Sequence, residues 1–387
     1  MIPTCSRPLA VLASLFVAGG AASDTSREMQ VEVFAQDFDA PWGLELLPDG
    51  RALVTERTAG LTLLAADGSR LATIENVPRS FVKLQGGLFD VVAHPQFATN
   101  ATIYLSLAHG SQKHNTTRVV RAVLRDNALV DVTVIFDTEP KGTAVHYGGR
   151  LAFMQDGTLL VTTGEGADYR EHAQRLDSLL GKVIRLDDDG TVPADNPFVG
   201  RPNAEPAIWT LGHRNPQGLA IDAKTGLVYA AEHGPRGGDE VNRIERQANY
   251  GWPIATHGID YPGSRISPFD SYPGMREPVV YWTPSIGLSG VAVYRGAMFP
   301  EWDGDIFVAS LGGKHVARVQ MKGDTVVGRE RLFEQMQARF RQIEVGPDGA
   351  LYIVVESIGD RPRSGQILRI TRSTGLPPAA NSSRLSM

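Results

Sequence analysis

Polar residues that are uncommon as loop filler are concentrated in a few short segments of the chain. Arg214, Asn215 and Gln217 offer a guanidinium and two amides, which suit the binding of carboxylates and carbonyl oxygens. Arg339 and Arg341 are separated by one residue, so their side chains point to the same side if the segment is extended. A site that combines these three arginines suits a ligand with several negative charges.

Histidines occur in or beside the same segments. His146 precedes the sequence Tyr-Gly-Gly-Arg, and His233 follows a predicted strand. A neutral imidazole is suited to proton transfer near pH 7. A lone histidine is also commonly a hydrogen-bonded structural group. The sequence gives no further reason to assign a function to His213 or His257. The sequence therefore does not distinguish a role in proton transfer from a structural role for these histidines.

The segment Glu232–Glu240 combines glycines with carboxylates. Gly234 and Pro235 predict a tight turn, and glycine also lets main-chain carbonyls approach a ligand or a cation. Glu240 is a candidate calcium ligand, because calcium binds carboxylate and main-chain oxygens together. The sequence contains no Gly-Lys-Ser/Thr phosphate loop, no His-Glu-x-x-His zinc motif and no Gly-x-Ser-x-Gly motif.

The elements that position these residues are short strands that recur along the chain, most of them after a Gly or Asp-Gly turn. Six copies, each fitting one four-stranded blade, predict an all-β, six-bladed β-propeller. The scarcity of amphipathic helical patterns favours the same fold class, and a pair of β-sandwiches with coincidental turns is the alternative. In a propeller, strand-end loops from every blade converge at one end of the channel. The copies are Arg51–Glu56, Thr102–Ser106, Thr158–Thr163, Leu227–Ala231, Asp305–Ala309 and Ala350–Val355.

The two ends of the chain predict processing and a tail. The apolar run Leu9–Ala22 follows Arg7 and ends in small residues, which is the layout of a secretory signal peptide. A membrane span is the alternative, but the run is shorter than the roughly 20 residues that a span needs. We predict a signal peptide over 1–23, a propeller domain over 24–374 and a flexible tail over 375–387. The predicted location is periplasmic or secreted, in a bacterium.

Composition argues against several classes of function. Cys5 is the only cysteine and precedes the predicted cleavage site, so the mature protein would have no disulfide, zinc-thiolate site or thiol nucleophile. The net charge is −5 with no basic block, which argues against nucleic acid and anionic membrane surfaces as partners. We expect a small-molecule substrate, no stable membrane insertion, and a monomer or homodimer.

Taken in order, these segments resemble the soluble quinoprotein sugar dehydrogenases that use pyrroloquinoline quinone (PQQ), and their aldose sugar dehydrogenase branch in particular. The similarity spans nearly the whole predicted mature chain. It implies oxidation of aldoses at the anomeric carbon to lactones, with PQQ and Ca²⁺ as cofactors and an external electron acceptor. The matching segments are Pro41–Leu44, Gln85–Pro95, Arg214–Gly218, Glu232–Glu240, Asn249–Pro253 and Arg339–Arg341.

The resemblance also implies residue roles. His146 matches the general base that takes the anomeric hydroxyl proton while hydride passes to the quinone C5, and Arg214 matches the cation beside the quinone oxygen. For the cofactor ion, the implied calcium ligands are the main-chain carbonyls of Gly234 and Pro235. A second, structural calcium site would use Glu240 and the Tyr250 carbonyl. The implied cofactor contacts are Gln85, Arg214, Asn215, Gln217, His233, Trp282, Arg339 and Arg341.

The chain departs from the family pattern at two places. The family often has a lysine where this chain reads Ser-Leu-Gly-Gly-Lys, so either Lys314 takes that role or the contact is missing. The acidic residue near the substrate in glucose-specific relatives falls around Glu165, in the divergent loop 164–170. The preferred sugar therefore does not follow from the sequence.

Two other functions fit a six-bladed propeller. A calcium-dependent sugar lactonase needs several carboxylates around a channel metal, whereas arginines and amides dominate here. A non-catalytic ligand-binding propeller gives no reason to combine His146 with Arg214 and the Arg339/Arg341 pair.

Overall fold

The computed structural model describes residues 29–359, 361 and 363–373. In this part of the chain, 24 strands form six four-stranded antiparallel sheets, the blades of a propeller. The predicted signal peptide (1–23) and tail (375–387) lie outside the described residues.

The strands follow one another through the blades in chain order, except that β1 (Met29–Phe38) completes the last blade. Blade 1 contains β2 (Pro41–Leu46), β3 (Ala52–Glu56), β4 (Gly60–Leu64) and β5 (Arg70–Thr73). Blade 2 contains β6 (Leu88–Ala93), β7 (Thr102–Ser111), β8 (His114–Arg125) and β9 (Ala128–Asp137). Blade 3 contains β10 (Gly148–Phe153), β11 (Leu159–Thr163), β12 (Lys182–Leu186) and β13 (Ile208–Leu211).

Blade 4 contains β14 (Pro216–Ile221), β15 (Val228–Glu232), β16 (Asp239–Ile244) and β17 (Val280–Trp282). Blade 5 contains β18 (Leu288–Val293), β19 (Ile306–Ser310), β20 (Val316–Lys322) and β21 (Thr325–Leu332). Blade 6 contains β22 (Ala338–Val345), β23 (Leu351–Ile358), β24 (Gly365–Arg372) and, outermost, β1. The helical elements in the described ranges are α1 (Phe97–Asn100) and the 3₁₀ helices Arg170–Gln174, Pro300–Trp302 and Glu334–Met336. No helix in the described ranges is long and apolar enough to span a membrane.

The six-bladed prediction is confirmed, and the sandwich alternative is wrong. Each predicted repeat strand is the second strand of its blade, at β3, β7, β11, β15, β19 and β23. These strands are buried along nearly their whole length, because neighbouring blades cover both of their faces. Six apolar clusters lie between successive blades, including the pair of blades 6 and 1 that closes the ring.

The innermost strands β2, β6, β10, β14, β18 and β22 contact one another in a ring around the channel. The guanidinium of Arg150 on β10 crosses this channel and is almost fully buried. It pairs with Asp90 of blade 2 at 2.9 Å and donates to the Gln217 carbonyl of blade 4 at 2.7 Å. It also bonds Gln342 of blade 6 at 2.9 Å and lies 3.9 Å from the ring centroid of Trp42 in blade 1. One side chain from blade 3 thus contacts four other blades.

Candidate active site

The candidate residues lie at one end of the channel because of strand direction. The first residue of each inner strand pairs with a residue near the end of the second strand, as in Gly148 with Thr163 and Pro216 with Glu232. Residues that precede inner strands therefore meet residues that follow second strands. His146 and Arg214 belong to the first group, and His233 belongs to the second. We call this end of the channel the mouth.

The His146 side chain is held at the mouth by residues from two other loops. Its backbone adopts a left-handed φ of 49°, and its N–H donates to the Gln85 side-chain oxygen at 2.8 Å. Its Nδ1 lies 3.3 Å from Glu165 Oε2. That contact is electrostatic, since Nδ1 has no aligned hydrogen bond among the described residues. The Glu165 backbone N–H in turn donates to the Arg214 carbonyl at 2.9 Å.

Burial favours the neutral form of both histidines at the mouth. Burial lowers the pKa of His146, an effect that Glu165 opposes and Arg214 reinforces. Burial lowers the pKa of His233 well below its usual value, and the nearby guanidiniums of Arg341 and Arg214 lower it further. A buried neutral imidazole can accept a proton, so His146 has the chemistry of a general base.

The three predicted arginines are brought together at the mouth. Arg214 Nη1 donates to the carbonyls of His233 and Gly234, at 2.9 and 3.1 Å. Arg339 and Arg341 donate from Nε to the two carboxylate oxygens of Glu356, at 3.0 and 2.8 Å, so they do face the same side. Among the described residues, one carboxylate binds this arginine pair directly, which leaves the mouth with an excess of positive charge.

Gln217 links the arginines to the histidine of blade 4. Its side-chain oxygen accepts from Arg341 Nη1 at 2.9 Å and lies 3.0 Å from His233 Nε2. Ser289 of blade 5 also accepts from Arg341, at 3.2 Å. The mouth is therefore a continuous polar network that joins blades 4, 5 and 6.

Asn215 lies beside the base, where its side-chain oxygen accepts from the Gly148 N–H at 3.1 Å. Trp282 lies at the other side of the Gly234–Gly238 turn, where its carbonyl accepts from the Gly238 N–H at 2.9 Å. Arg329 stacks on the Trp282 indole at 5.4 Å. Within the described residues, Trp282 makes no hydrogen bond or stacking contact with the arginines of the mouth, so it belongs to the periphery of the site.

A second cluster, behind the Gly234–Gly238 turn, is rich in acceptors. Glu232 and Glu240 are cross-strand neighbours on β15 and β16. Burial raises the pKa of Glu240 well above its usual value, and the Glu232 carboxylate raises it further. The Asn242 side-chain oxygen is buried without a hydrogen-bond partner among the described residues. Tyr250 stacks at 4.8 Å on His213, whose Nδ1 lies 3.0 Å from Glu232, so Tyr250 borders the same cluster.

The residues present fit the cofactors that the sequence implies. Three guanidiniums suit a ligand with several carboxylates. The Gly234 backbone is tightly enclosed, because a side chain there would lie 2.1 Å from the Gly237 carbonyl oxygen. The unpartnered Asn242 oxygen beside Glu240 suits a cation. The described residues contain no group of three or more His, Cys, Asp or Glu that could hold a metal, so calcium here would need main-chain oxygens.

Sequence reasoning missed several residues of the site. It did not find Glu356, and it named Glu165 only as a residue near a substrate, not as the partner of His146. The Trp252 ring centroid lies 5.3 Å from the Arg214 guanidinium. Trp252 belongs to a segment that matches the family, but sequence reasoning assigned it no role. Lys314 has a left-handed φ of 54°, and its ammonium makes no ion pair in the described ranges, so its role stays a prediction.

A groove of about 960 Å³ lies away from the mouth, along blades 1 and 2, and is lined mainly by residues 73–74 and 76–82. None of the candidate site residues lines it. The titratable and charged side chains of the candidate site lie at the mouth, not in this groove.

Glu356 is expected to stabilise the fold above about pH 4.5 and to lose this effect in acid. Burial alone raises the pKa of Glu356, but Arg341 and Arg339 outweigh that and lower it to about 2. The stabilisation, about 2 to 3 kcal/mol, is therefore present above the unfolded pKa and lost as pH falls toward 2. Urea unfolding of the wild type and Glu356→Gln from pH 3 to 7 measures this stabilisation. The difference in free energy of unfolding between the two proteins should become smaller in acid.

Glu344→Gln is a control for which the expected pH dependence of stability has the opposite sign. Burial raises the pKa of Glu344 to about 7, so its carboxyl contributes stability in acid that is lost as pH rises through 7. Glu344→Gln should therefore gain stability relative to the wild type between pH 5 and 8. A constant wild-type advantage over Glu356→Gln at every pH would contradict the ion-pair account of Glu356.

The chain resembles solved and curated proteins along nearly its whole length. It is 38% identical over 350 residues to the aldose sugar dehydrogenase YliI of Escherichia coli strain K12, covering 89% of this chain and 93% of that protein. The apo structure of the soluble aldose sugar dehydrogenase from Escherichia coli has a TM-score of 0.84 and 36% identity, covering 89% and 100%. The PQQ-bound aldose sugar dehydrogenase from Streptomyces coelicolor has a TM-score of 0.74 and 29% identity, covering 89% and 99%.

A closed six-bladed propeller with a neutral histidine and clustered arginines at its mouth, together with these relatives, defines a class of oxidoreductases that act on CH–OH groups. Within that class, residues 38–381 match the glucose/sorbosone dehydrogenase family, and the chain belongs to this family. The family predicted from the sequence is confirmed.

Proposed function

We propose that this protein oxidises aldose sugars at the anomeric carbon to lactones, with PQQ and calcium as cofactors, and passes the electrons to an external acceptor. One observation carries the proposal: a neutral buried histidine lies at the same channel mouth as three arginines. The relative from Streptomyces coelicolor, an aldose sugar dehydrogenase in its PQQ-bound form, supports the cofactor.

His146 removes the proton from the anomeric hydroxyl in this proposal. Its Nδ1 faces Glu165 at 3.3 Å, which leaves Nε2 to accept the proton. As His146 becomes charged, Glu165 stabilises the imidazolium, because the carboxylate already raises the pKa of the imidazole. When bound, the cofactor would supply an electrophilic quinone carbonyl as the acceptor of the hydride from the anomeric carbon.

Arg214 supplies a fixed positive charge at the mouth. Its Nη1 is anchored to two main-chain carbonyls, so the guanidinium needs little reorganisation during the reaction. Arg339 and Arg341 would bind carboxylates of the cofactor, and Gln217 and His233 extend the same network. Gln85, Asn215 and Trp282 complete the proposed contacts at the edge.

Calcium would have two places in this proposal. The carbonyls of Gly234 and Pro235 would hold the ion that accompanies the cofactor. Glu240 and the Tyr250 carbonyl would hold a structural ion, whose charge would relieve the repulsion that Glu240 experiences from Glu232. The two other functions weighed from the sequence receive no specific support from the geometry of the mouth.

The direct test is reconstitution. Protein freed of metal and cofactor is supplied with calcium and PQQ, and reduction of an artificial dye is followed with a panel of aldoses. We expect sugar-dependent reduction with at least one aldose, and Arg341→Gln should retain PQQ less well on gel filtration. Failure to bind PQQ, or no reduction with any aldose, would refute the proposal.

We also propose export to the periplasm or medium, supported by the signal-like layout of residues 7–23. Expression of the full chain in a bacterium, followed by cell fractionation and N-terminal sequencing, tests this. A mature chain beginning near Asp24 in the periplasm is the expected result. An uncleaved chain in the cytosol would contradict it.

A further inference from the structure

Lys141 is a buried lysine in the loop that leads to the base. Its side chain is 1% exposed, and its ammonium donates to the carbonyls of Thr143 and Val145, at 2.8 and 3.0 Å. The third acceptor is the Asn115 side-chain oxygen, at 3.1 Å. The ammonium also lies 3.4 Å from the ring centroid of Tyr147. All three donors of the cation are therefore used.

These contacts act on the backbone on both sides of His146. Val145 and Tyr147 are its neighbours in the chain, and Lys141 binds one through its carbonyl and the other through its ring. His146 itself has a left-handed φ, which costs about 1 kcal/mol or more for a residue with a side chain. A conformation of this kind persists only where its surroundings fix it.

Lys141 also faces the carboxylate that contacts the base. Glu165 is fully buried, and the loop that carries it packs on the lysine, since a side chain at Gly166 would lie 2.7 Å from Lys141 Cδ. The charged and titratable groups around His146 are Glu165, Arg214, Lys141 and His233. Lys141 is thus a buried cation that interacts electrostatically with both His146 and Glu165.

We propose that Lys141 is a positioning residue for the general base. It fixes the strained backbone at His146 and places a positive charge near the His146–Glu165 pair. The residue touches neither substrate nor cofactor and acts through His146. This inference rests on the proposed function for its catalytic meaning, but its structural content can be measured without sugar or cofactor.

The electrostatic effect has a definite sign. Lys141 lowers the pKa of His146, as Arg214 does, whereas Glu165 raises it. Burial lowers the pKa of Lys141 itself to about 7, and Glu165 opposes that shift. Removal of the ammonium should therefore raise the pKa of His146, while removal of a buried lysine elsewhere should not.

Lys182, on β12 of blade 3, offers a matched control. It is also buried, and its ammonium donates to three carbonyls, those of His172, Ala173 and Leu180, at 2.7, 3.1 and 2.7 Å. Burial lowers its pKa to about 7, but its charged neighbours are Glu139, Asp177 and Arg175. Lys182→Met therefore removes a similar cation without changing the charges around His146.

The test titrates the histidine rings by NMR in protein without cofactor or sugar, with the His146 signal assigned by its loss in His146→Gln. In Lys141→Met we expect the pKa of His146 to rise by about half a unit to one unit. In reconstituted enzyme, kcat should fall by about 10 to 100-fold. The acidic limb of the pH profile of kcat/KM should shift to higher pH, following the pKa of His146. Lys182→Met should change none of these.

Lys141→Arg keeps the charge and should restore the wild-type pKa and part of kcat. If Lys141→Met does not fold, Lys141→Gln provides the neutral variant. An unchanged His146 pKa in the neutral variant, or the same shift in Lys182→Met, would overturn the inference. If the pKa shifts but no aldose is oxidised by the wild type, the proposed function fails while the link between Lys141 and His146 stands.

Discussion

Replacement of His146 by glutamine is expected to lower kcat for aldose oxidation by about 10² to 10⁴-fold, the usual contribution of a general base. The imidazole is held neutral by burial, and Nδ1 already faces Glu165 at 3.3 Å. Glutamine has similar polarity but cannot take up the proton. The variant should bind PQQ like the wild type, because the arginines of the mouth are unchanged. Steady-state dye reduction and PQQ titration measure the two properties separately.

His94→Gln is the control for this experiment. His94 is a partly buried histidine that also contacts a carboxylate, Asp188 at 3.4 Å, but it follows β6 at the far end of the channel. It should leave kcat within about twofold of the wild type, as expected for a change remote from the site. Turnover by His146→Gln at the wild-type rate would show that another group takes the proton.

Arg150→Met is expected to lower the free energy of unfolding by about 3 to 5 kcal/mol, the usual effect of breaking a buried ion pair. Asp90, its partner at 2.9 Å, is itself almost fully buried and would keep an uncompensated charge. Burial raises the pKa of Asp90, and Arg150 lowers it. The carbonyl of Gln217, a buried residue, would also lose its donor. Urea unfolding at pH 7 measures the loss.

Two further variants separate charge from packing. Arg150→Met combined with Asp90→Asn should recover part of the stability, since no buried charge remains. Arg185→Met removes another buried arginine, but its partners Asp156 and Asp195 are 47% and 72% exposed, so water can take over their solvation. Its loss should be about 1 to 2 kcal/mol smaller than that of Arg150→Met. Equal losses in the two variants would mean that the channel position of Arg150 has no special effect.

The sequence predicted the fold well because one strand per blade carries a strong signal. The second strands are covered on both faces, so they appear as short apolar runs after turn residues, as in Leu159–Thr163. The outer strands could not be recognised in this way. Thr325–Leu332, for example, alternates between exposed and half-buried positions and lacks the continuous apolar run.

The site could be predicted only where its residues lie together in short motifs. Arg339 and Arg341 were found, but Glu356 was not, because the strand pairing that joins them spans 15 to 17 residues. The repeated second strands do contain a signal for Glu356. Glu56, Glu232 and Glu356 each end an apolar second-strand run, and Glu165 follows another by two residues. Lys141 gave no such signal, since two of its three acceptors are main-chain carbonyls and the third, Asn115, lies 26 residues away in the sequence.

The position of β1 in blade 6 has a consequence for how the protein is made. Met29–Phe38 pairs with Gly365–Arg372, and Glu32 bonds Arg369 across 337 residues of sequence. Such pairings between distant segments form late, because the intervening loop must close first. The ring therefore cannot close until the last blade has been synthesised. A chain that is exported during synthesis would therefore remain an open ring until both of its ends have arrived.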